Sequence, residues 1–330
     1  VDVEDPEKCL VDAMAALNSE QLAAAAAVTN AYLILNKDEI LAPLSPERWS
    51  SSTCKSLRED LHSALSSVLD AASVPFKLTC SFVQDMRFQQ VLSAERIRSL
   101  ARTSSGGDHE VDEAAAFASA SIRMHDFVKS AEGADYLRDR ILAELGRGLM
   151  SDDVVRTSEE LLLQSLVGVW GAFEVFASSF ATAALNDRPE WVGRILRSEI
   201  GKRIFPKSGV AVEALERFGF NVASSMGYVL LEGKRLDSLS SLADLICSLV
   251  EDDDVQQCFK GPDLWLLNQR RHLVVHRRGV IDHDYLKKTG EKADVGQRLA
   301  LVSVDLERHV ETVCKTAIAI LDAYERAADR

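Results

Sequence analysis

The run TSEELLLQSLVGVWGAFEVFASSFATAALN, residues 157–186, constrains the fold more than any other stretch of this chain. It holds no proline, and its apolar side chains surround much of the circumference at the helix period. A helix that is apolar on most sides has to be packed on most sides, so this one is expected at the centre of a helical core. Thr157, with Glu160 three residues on, has the pattern of a capping box. Pro189 marks the end of the run. A central helix needs partners of its own kind, and the composition supplies them. Gly and Pro are scarce (17 and 7 residues), Ala and Leu are abundant, and 47% of the chain is apolar. The expected class is all-α, and 330 residues suffice for two domains.

The N-terminal half, 1–150, reads as a helical domain. SEQLAAAAAVTNAYLIL (19–35) is an Ala-rich helix that stops before the proline-punctuated LAPLSPERW. TCKSLREDLHSALSSVLDAA (53–72) puts Leu57, Leu61, Ala64, Leu65, Val68 and Leu69 on one face, and Pro75 separates it from the next helix. TSSGGDHEVDE (103–113) reads as a loop, 112–131 as a further helix followed by ADYLRDRILAELGRGL, and MSDDVVRT (150–157) as a linker. In 151–330 the central run is the first of four longer helices. A helical region over 210–250, broken near LLEGKRLD, is the second. PDLWLLNQRRHLVVHRR is the third, with Pro262 at its start and Gly279 at its stop. SVDLERHVETVCKTAIAILDAYERA is the fourth, with Leu306, Val310, Val313, Ala317, Ile320, Leu321 and Tyr324 in register. Four such helices suit an antiparallel bundle. EDDD (251–254) reads as a solvated loop or helix end, and RLALVS (298–303) is a candidate short strand.

The formal net charge of −13 argues against a non-specific nucleic-acid coat. Two cationic islands stand against it: residues 188–207 and 270–288 each hold six Lys or Arg and two Asp or Glu. The six cysteines, Cys9, Cys54, Cys80, Cys247, Cys258 and Cys314, form no CxxC pair and have no histidine at zinc spacing. They read as reduced, buried side chains of a cytoplasmic protein. No apolar run is read as long enough to span a bilayer, and the opening VDVEDPEKC, without Met, has no signal-peptide pattern.

The island RRHLVVHRRGVID, residues 270–282, carries the chemistry. At about 100° per residue from Leu264, Leu267, Val274 and Val275 share an apolar arc, and Arg271 falls within it at about 340°. His272 and His276 lie at about 80° and 120°, beside Asn268, Trp265 and Gln269. Leu266 and Leu273 make a second, narrower apolar stripe. Two apolar stripes with a polar strip between them suit a helix packed in its own bundle and against a partner. An arginine in an apolar arc needs an anion. Either Arg271 pairs with a core carboxylate, for which Glu174 in WGAFEVF is the candidate, or it faces a cleft and awaits a phosphate. Three of the seven histidines, His272, His276 and His283, fall within this short region. Imidazole moves protons near neutrality and guanidinium neutralises phosphate charge, so the two residue types together suit phosphate chemistry. His272 and His276 have the spacing of a helical zinc pair, but the glutamate of HExxH is absent and the flanking arginines repel a cation.

Arg271-His272-Leu273-Val274-Val275-His276 resembles the signature of the HEPN superfamily: an arginine, a polar residue, three more residues and a histidine. The wider RRHLVVHRRGVIDHDYLKKTG is similar to a bacterial branch in which the Arg–His helix ends in a basic or polar residue, Gly, two apolar residues and Asp. The resemblance covers about residues 151–330, with the motif on the third helix of four and WGAFEVFASSF on the first. It implies a metal-independent endoribonuclease that needs no cofactor, in which two protomers line one cleft with their motifs. It assigns catalysis to Arg271 and His276, with His272 at the polar position. Asn268, Arg270, Arg277, Arg278, Lys287 and Lys288 are then the RNA-contacting set, and Glu174 supports Arg271. Arg278 stands where toxins paired with nucleotidyltransferase antitoxins often carry a tyrosine, so modification at that position is not implied.

Attack by the 2′-OH of RNA needs a base, an acid and a cation, and no metal. Residues five apart lie about 140° apart on a helix, so Arg271 and His276 of one chain diverge. Either the last turn unwinds towards Gly279, or the site is assembled across a two-fold axis. The leading reading is therefore a homodimeric ribonuclease, a toxin or antiviral effector under the control of an antitoxin, a regulatory protein or its own N-terminal domain. The alternatives are a catalytically silent module binding RNA, a nucleotide or a protein, and a scaffold in which Arg271 and Glu174 form a sealed ion pair. No membrane is expected as a partner.

Overall fold

The computed structural model describes residues 26–34, 37–103, 111–204, 212–231, 234, 236 and 238–328. Cys9, the opening VDVEDPEKC, the start of the 19–35 helix, most of the 103–113 loop and residues 205–207 of the first basic island lie outside them. The described residues are predominantly helical, and their one β feature is an isolated antiparallel bridge between Val280 and Arg298. The strand expected at 298–303 is thus reduced to its first residue. Two compact units divide the chain: 1–36 with 70–161, and 37–69 with 162–330.

In the first unit, α2 (Val74–Thr103), α3 (Glu113–Lys129) and α4 (Ala131–Gly148) pack on one another. Asp112 and Ser130 cap α3 and α4, accepting from the amides of Ala115 and Gly133. Val28, Tyr32, Phe76, Cys80, Val83, Leu137, Ile141 and Leu145 form one core cluster, and Leu92, Ala116 and Ala120 a second.

Residues 37–69 join the second unit rather than the rest of the N-terminal half, and the reason is polar as well as apolar. Arg48 and the Trp49 indole N–H donate to Asp322, and the Ser50 amide donates to Glu325 at 2.6 Å. Both acceptors lie on the last helix, α12 (Ser303–Ala328). Leu57, Leu61, Leu65 and Leu69 on α1 (Ser52–Ala72) are buried as their spacing predicts.

The long helix α5 (Asp152–Asp187) begins earlier than the capping-box pattern predicts. Asp152 and Asp153 favour the positive helix end, and the Thr157 hydroxyl donates back to the Asp153 carbonyl at 2.7 Å instead of capping. Counted over an 18-residue window, α5 has mean hydropathy 1.5 and is long and apolar enough to cross a membrane by length and composition. The expectation that no apolar run is long enough to span a bilayer is corrected to that extent, and half of the window is buried within the protein. Leu162, Leu166, Trp170, Phe173, Phe176 and Phe180 on α5 are all buried in the second unit. Phe173 meets Phe259 of α9 (Asp253–Lys260), and Phe180 meets Tyr324 of α12.

Around α12 pack α8 (Leu239–Val250), α9 and α10 (Pro262–Arg277). The sequence reading passed over α9 as the end of an acidic loop. Asp252 caps it, accepting from the amides of Asp254 and Val255, and Val255 and Phe259, one turn apart, are buried. The short helices α6 (Val192–Arg197) and α7 (Glu199–Ile204) precede α8, and α11 (His283–Thr289) lies between α10 and α12.

Candidate functional site

The motif sits on α10, with Gly261 at its N-cap and Pro262 in its first turn. The helix stays regular to Arg277, so no unwinding swings His276 towards Arg271. It then stops hard: Arg278 and Gly279 both have left-handed backbones, φ 53° and 75°, and the Gly279 amide donates to the Leu273 carbonyl at 3.1 Å. Beyond the stop, the amides of Ile281 and Leu299 donate to the carbonyls of Gln297 and Gly279, both at 2.8 Å. Asp282 then caps α11, accepting from the Tyr285 amide.

Leu264, Leu267, Leu273 and Val274 of α10 are buried. Val275 is not: it is 47% exposed, which removes it from the apolar arc drawn for it. The buried arc is narrower than an ideal wheel suggests. His272 and His276 are both exposed, with ring centroids 4.4 Å apart at 50°. Desolvation does most to hold the His272 imidazolium below its ordinary range; the charges of His276, Lys288 and Arg271 act in the same direction, and Asp282 opposes them. A His272 held neutral is a competent proton acceptor.

Arg271 faces Glu174 of α5, Nη2 to Oε2 at 3.9 Å, and the Trp170 indole N–H donates to the same oxygen at 2.9 Å. The pair is not sealed, since the side chains are 23% and 29% exposed. Asn268 is half-buried on the same helix. Arg278, Lys287 and Lys288 are exposed, as is Arg277, which lies 3.4 Å from Asp282.

Arg270 requires correction. It was expected on the RNA-facing surface, but its side chain is only 11% exposed. Its Nη2 donates to Glu291 at 2.9 Å, its Nη1 donates to His309 Nε2 at 3.2 Å, and Asp305 lies 3.7 Å away. Tyr285 completes the group by donating to the second Glu291 oxygen at 2.8 Å. Desolvation opposes the Arg270 charge, but these acceptors outweigh it and raise the pKa. Glu291, Tyr285 and His309 were missed in the sequence. His309 carried a signal, because a lone histidine stands in the apolar register of Leu306, Val310 and Val313. Burial, then Arg270, lower its pKa to about 4.

Among the described residues, no group of three or more His, Cys, Asp or Glu is placed to hold a metal ion. Comparison with protein-family models, with characterised proteins and with solved structures found no match to this chain.

Proposed function

We propose that the second unit is an HEPN-type four-helix bundle, built on α5, α8, α10 and α12, and that the chain is a metal-independent endoribonuclease. The observation that carries this reading is the exposed His272–His276 pair at the end of α10, with Arg277, Arg278, Lys287 and Lys288 exposed in the same stretch of chain and Lys288 near enough to act on His272. Such a surface attracts a phosphate chain and offers it two imidazoles. His276 is the principal acid–base residue, His272 and Asn268 orient the RNA or the histidine, and Arg271 stabilises the charge that develops on phosphorus. Because α10 stays regular through His276, the divergence of Arg271 and His276 favours a homodimer in which each motif completes the other. A toxin or antiviral role, held in check by an antitoxin or regulatory partner, follows from the same reading, as does work in the cytoplasm without a membrane.

The test is RNA digestion. Cleavage should survive EDTA, leave a 2′,3′-cyclic phosphate and a 5′-hydroxyl, and fail on a substrate with 2′-deoxyribose at the scissile position. His276→Ala should lose roughly 10²–10⁴-fold in rate with its helicity intact. Activity that persists in this variant sinks the mechanism. One observation favours a second reading, a silent module that binds RNA without cutting it: Arg271 already has an anion in Glu174. Under that reading the wild-type protein binds RNA, no RNA is cut, and Glu174→Gln tightens binding.

A further inference from the structure

The first basic island takes a different place from the second. Arg194 of α6 and Arg197 at its end line a cavity of about 720 Å³, within the range of small-molecule sites. One face of α8, Ser240, Ala243, Asp244, Cys247 and Ser248, forms a wall, and Phe259 and Lys260 of α9 close another side. We propose that this cavity is a binding site for a small phosphate monoester with a hydroxylated body, separate from any RNA surface.

The argument rests on charge that the protein leaves unspent. Arg194 is fixed in place: its Nη1 donates to the Leu249 carbonyl at 2.6 Å, and its guanidinium lies 4.4 Å from the Trp191 ring centroid. A guanidinium has five N–H donors, so most of its capacity is free. Arg197 makes no hydrogen bond or ion pair among the described residues, and Lys260 has only a 3.4 Å contact to Gln256. Of the carboxylates at the cavity, Glu199 is neutralised by Lys202 and Asp244 is already engaged, which leaves Glu251. Three cations against one open carboxylate call for a ligand of about two negative charges that also offers a donor. A phosphate monoester has that charge near neutrality, and a hydroxyl on its body answers Glu251. The wall has room because α8 turns small side chains towards it. Burial pushes the Cys247 thiol up to about 11, so the residue is an inert part of the lining rather than a nucleophile.

The test is titration calorimetry of the full chain with glycerol 3-phosphate, using glycerol as a control. Saturable one-site binding is expected for the phosphate and none for glycerol. Arg197→Ala should weaken it about tenfold or more, the worth of a charge-assisted contact. Ser240→Phe should obstruct it sterically, whereas exposed Lys292→Ala and His276→Ala should bind like wild type. No saturable binding overturns the proposal, as does binding indifferent to both cavity variants. If Arg197→Ala instead lowers RNA affinity and spares glycerol 3-phosphate, the cavity is part of an RNA surface and the proposal also fails. The proposal stands or falls independently of RNA cleavage.

Discussion

His309 shows how much one residue's surroundings change its meaning. Its Nδ1 is buried and has no hydrogen-bond partner, while Nε2 accepts from Arg270, a permanent cation. The imidazole is therefore held neutral, with a pKa of about 4 against an ordinary 6.5. The unfolded chain binds its proton first, so the stability that a neutral His309 confers is complete above pH 6.5. It drains away as the pH falls towards 4, by on the order of 3 kcal/mol. Urea unfolding at stepped pH should show this slope, and His309→Gln should flatten it; an unchanged slope would remove the argument. The neighbouring cations divide in the same way. Arg270→Ala takes the cation from Glu291 and Asp305, leaving Glu291 only the Tyr285 hydroxyl, and should cost about 3 kcal/mol, without a specific effect on RNA affinity in the protein that remains folded. Arg277→Ala loses an exposed pair, should shift stability by under about 0.5 kcal/mol, and should weaken RNA binding. Denaturation paired with RNA titration separates the two.

At the scale of the element, the end of α10 decides where the histidines point. Two successive left-handed residues end the helix, and only one of them is glycine. A Cβ at Gly279 would find ordinary contact, with Leu163 Cδ1 3.4 Å away, so Gly279→Ala is penalised by its backbone rather than by a clash. The expected loss is about 1–2 kcal/mol, read as a lowered midpoint in thermal unfolding. The substitution should also disturb the pairing of residues 279–281 with 296–299, seen as faster amide exchange at Ile281 and Leu299. Unchanged exchange at both amides would mean that the glycine does not set this turn.

At the scale of the whole molecule, the division into units sets what can stand alone. Residues 37–69 put Leu41, Leu44, Trp49, Leu61 and Leu65 into the second unit, together with the bonds from Arg48, Trp49 and Ser50 to α12. A fragment cut at 151–330 exposes the apolar surface those side chains cover and loses the partners of Asp322 and Glu325. It should be poorly soluble or loosely packed. Circular dichroism and gel filtration of 151–330 against the full chain test this; a compact, cooperatively unfolding fragment would show that the N-terminal segment is dispensable.

The sequence by itself determined the helical class, the buried faces of α1, α5 and α12, the start of α10 at Pro262 and its stop at Gly279. These follow from local period and from residues that the backbone tolerates only in special conformations, so neighbours in sequence suffice to read them. It also determined that Arg271, His272 and His276 share one helix. Only the tertiary structure decided that Arg270, one residue away, is a buried structural cation, that Val275 faces outward, and that Arg271 meets Glu174 near the middle of α5. It alone brought Arg48 and Trp49 to Asp322, and turned two arginines of a basic island into part of the wall of a cavity. Each of these depends on which distant side chain arrives to desolvate or pair a charge. A helical wheel fixes the direction of a side chain but carries no record of what stands opposite it.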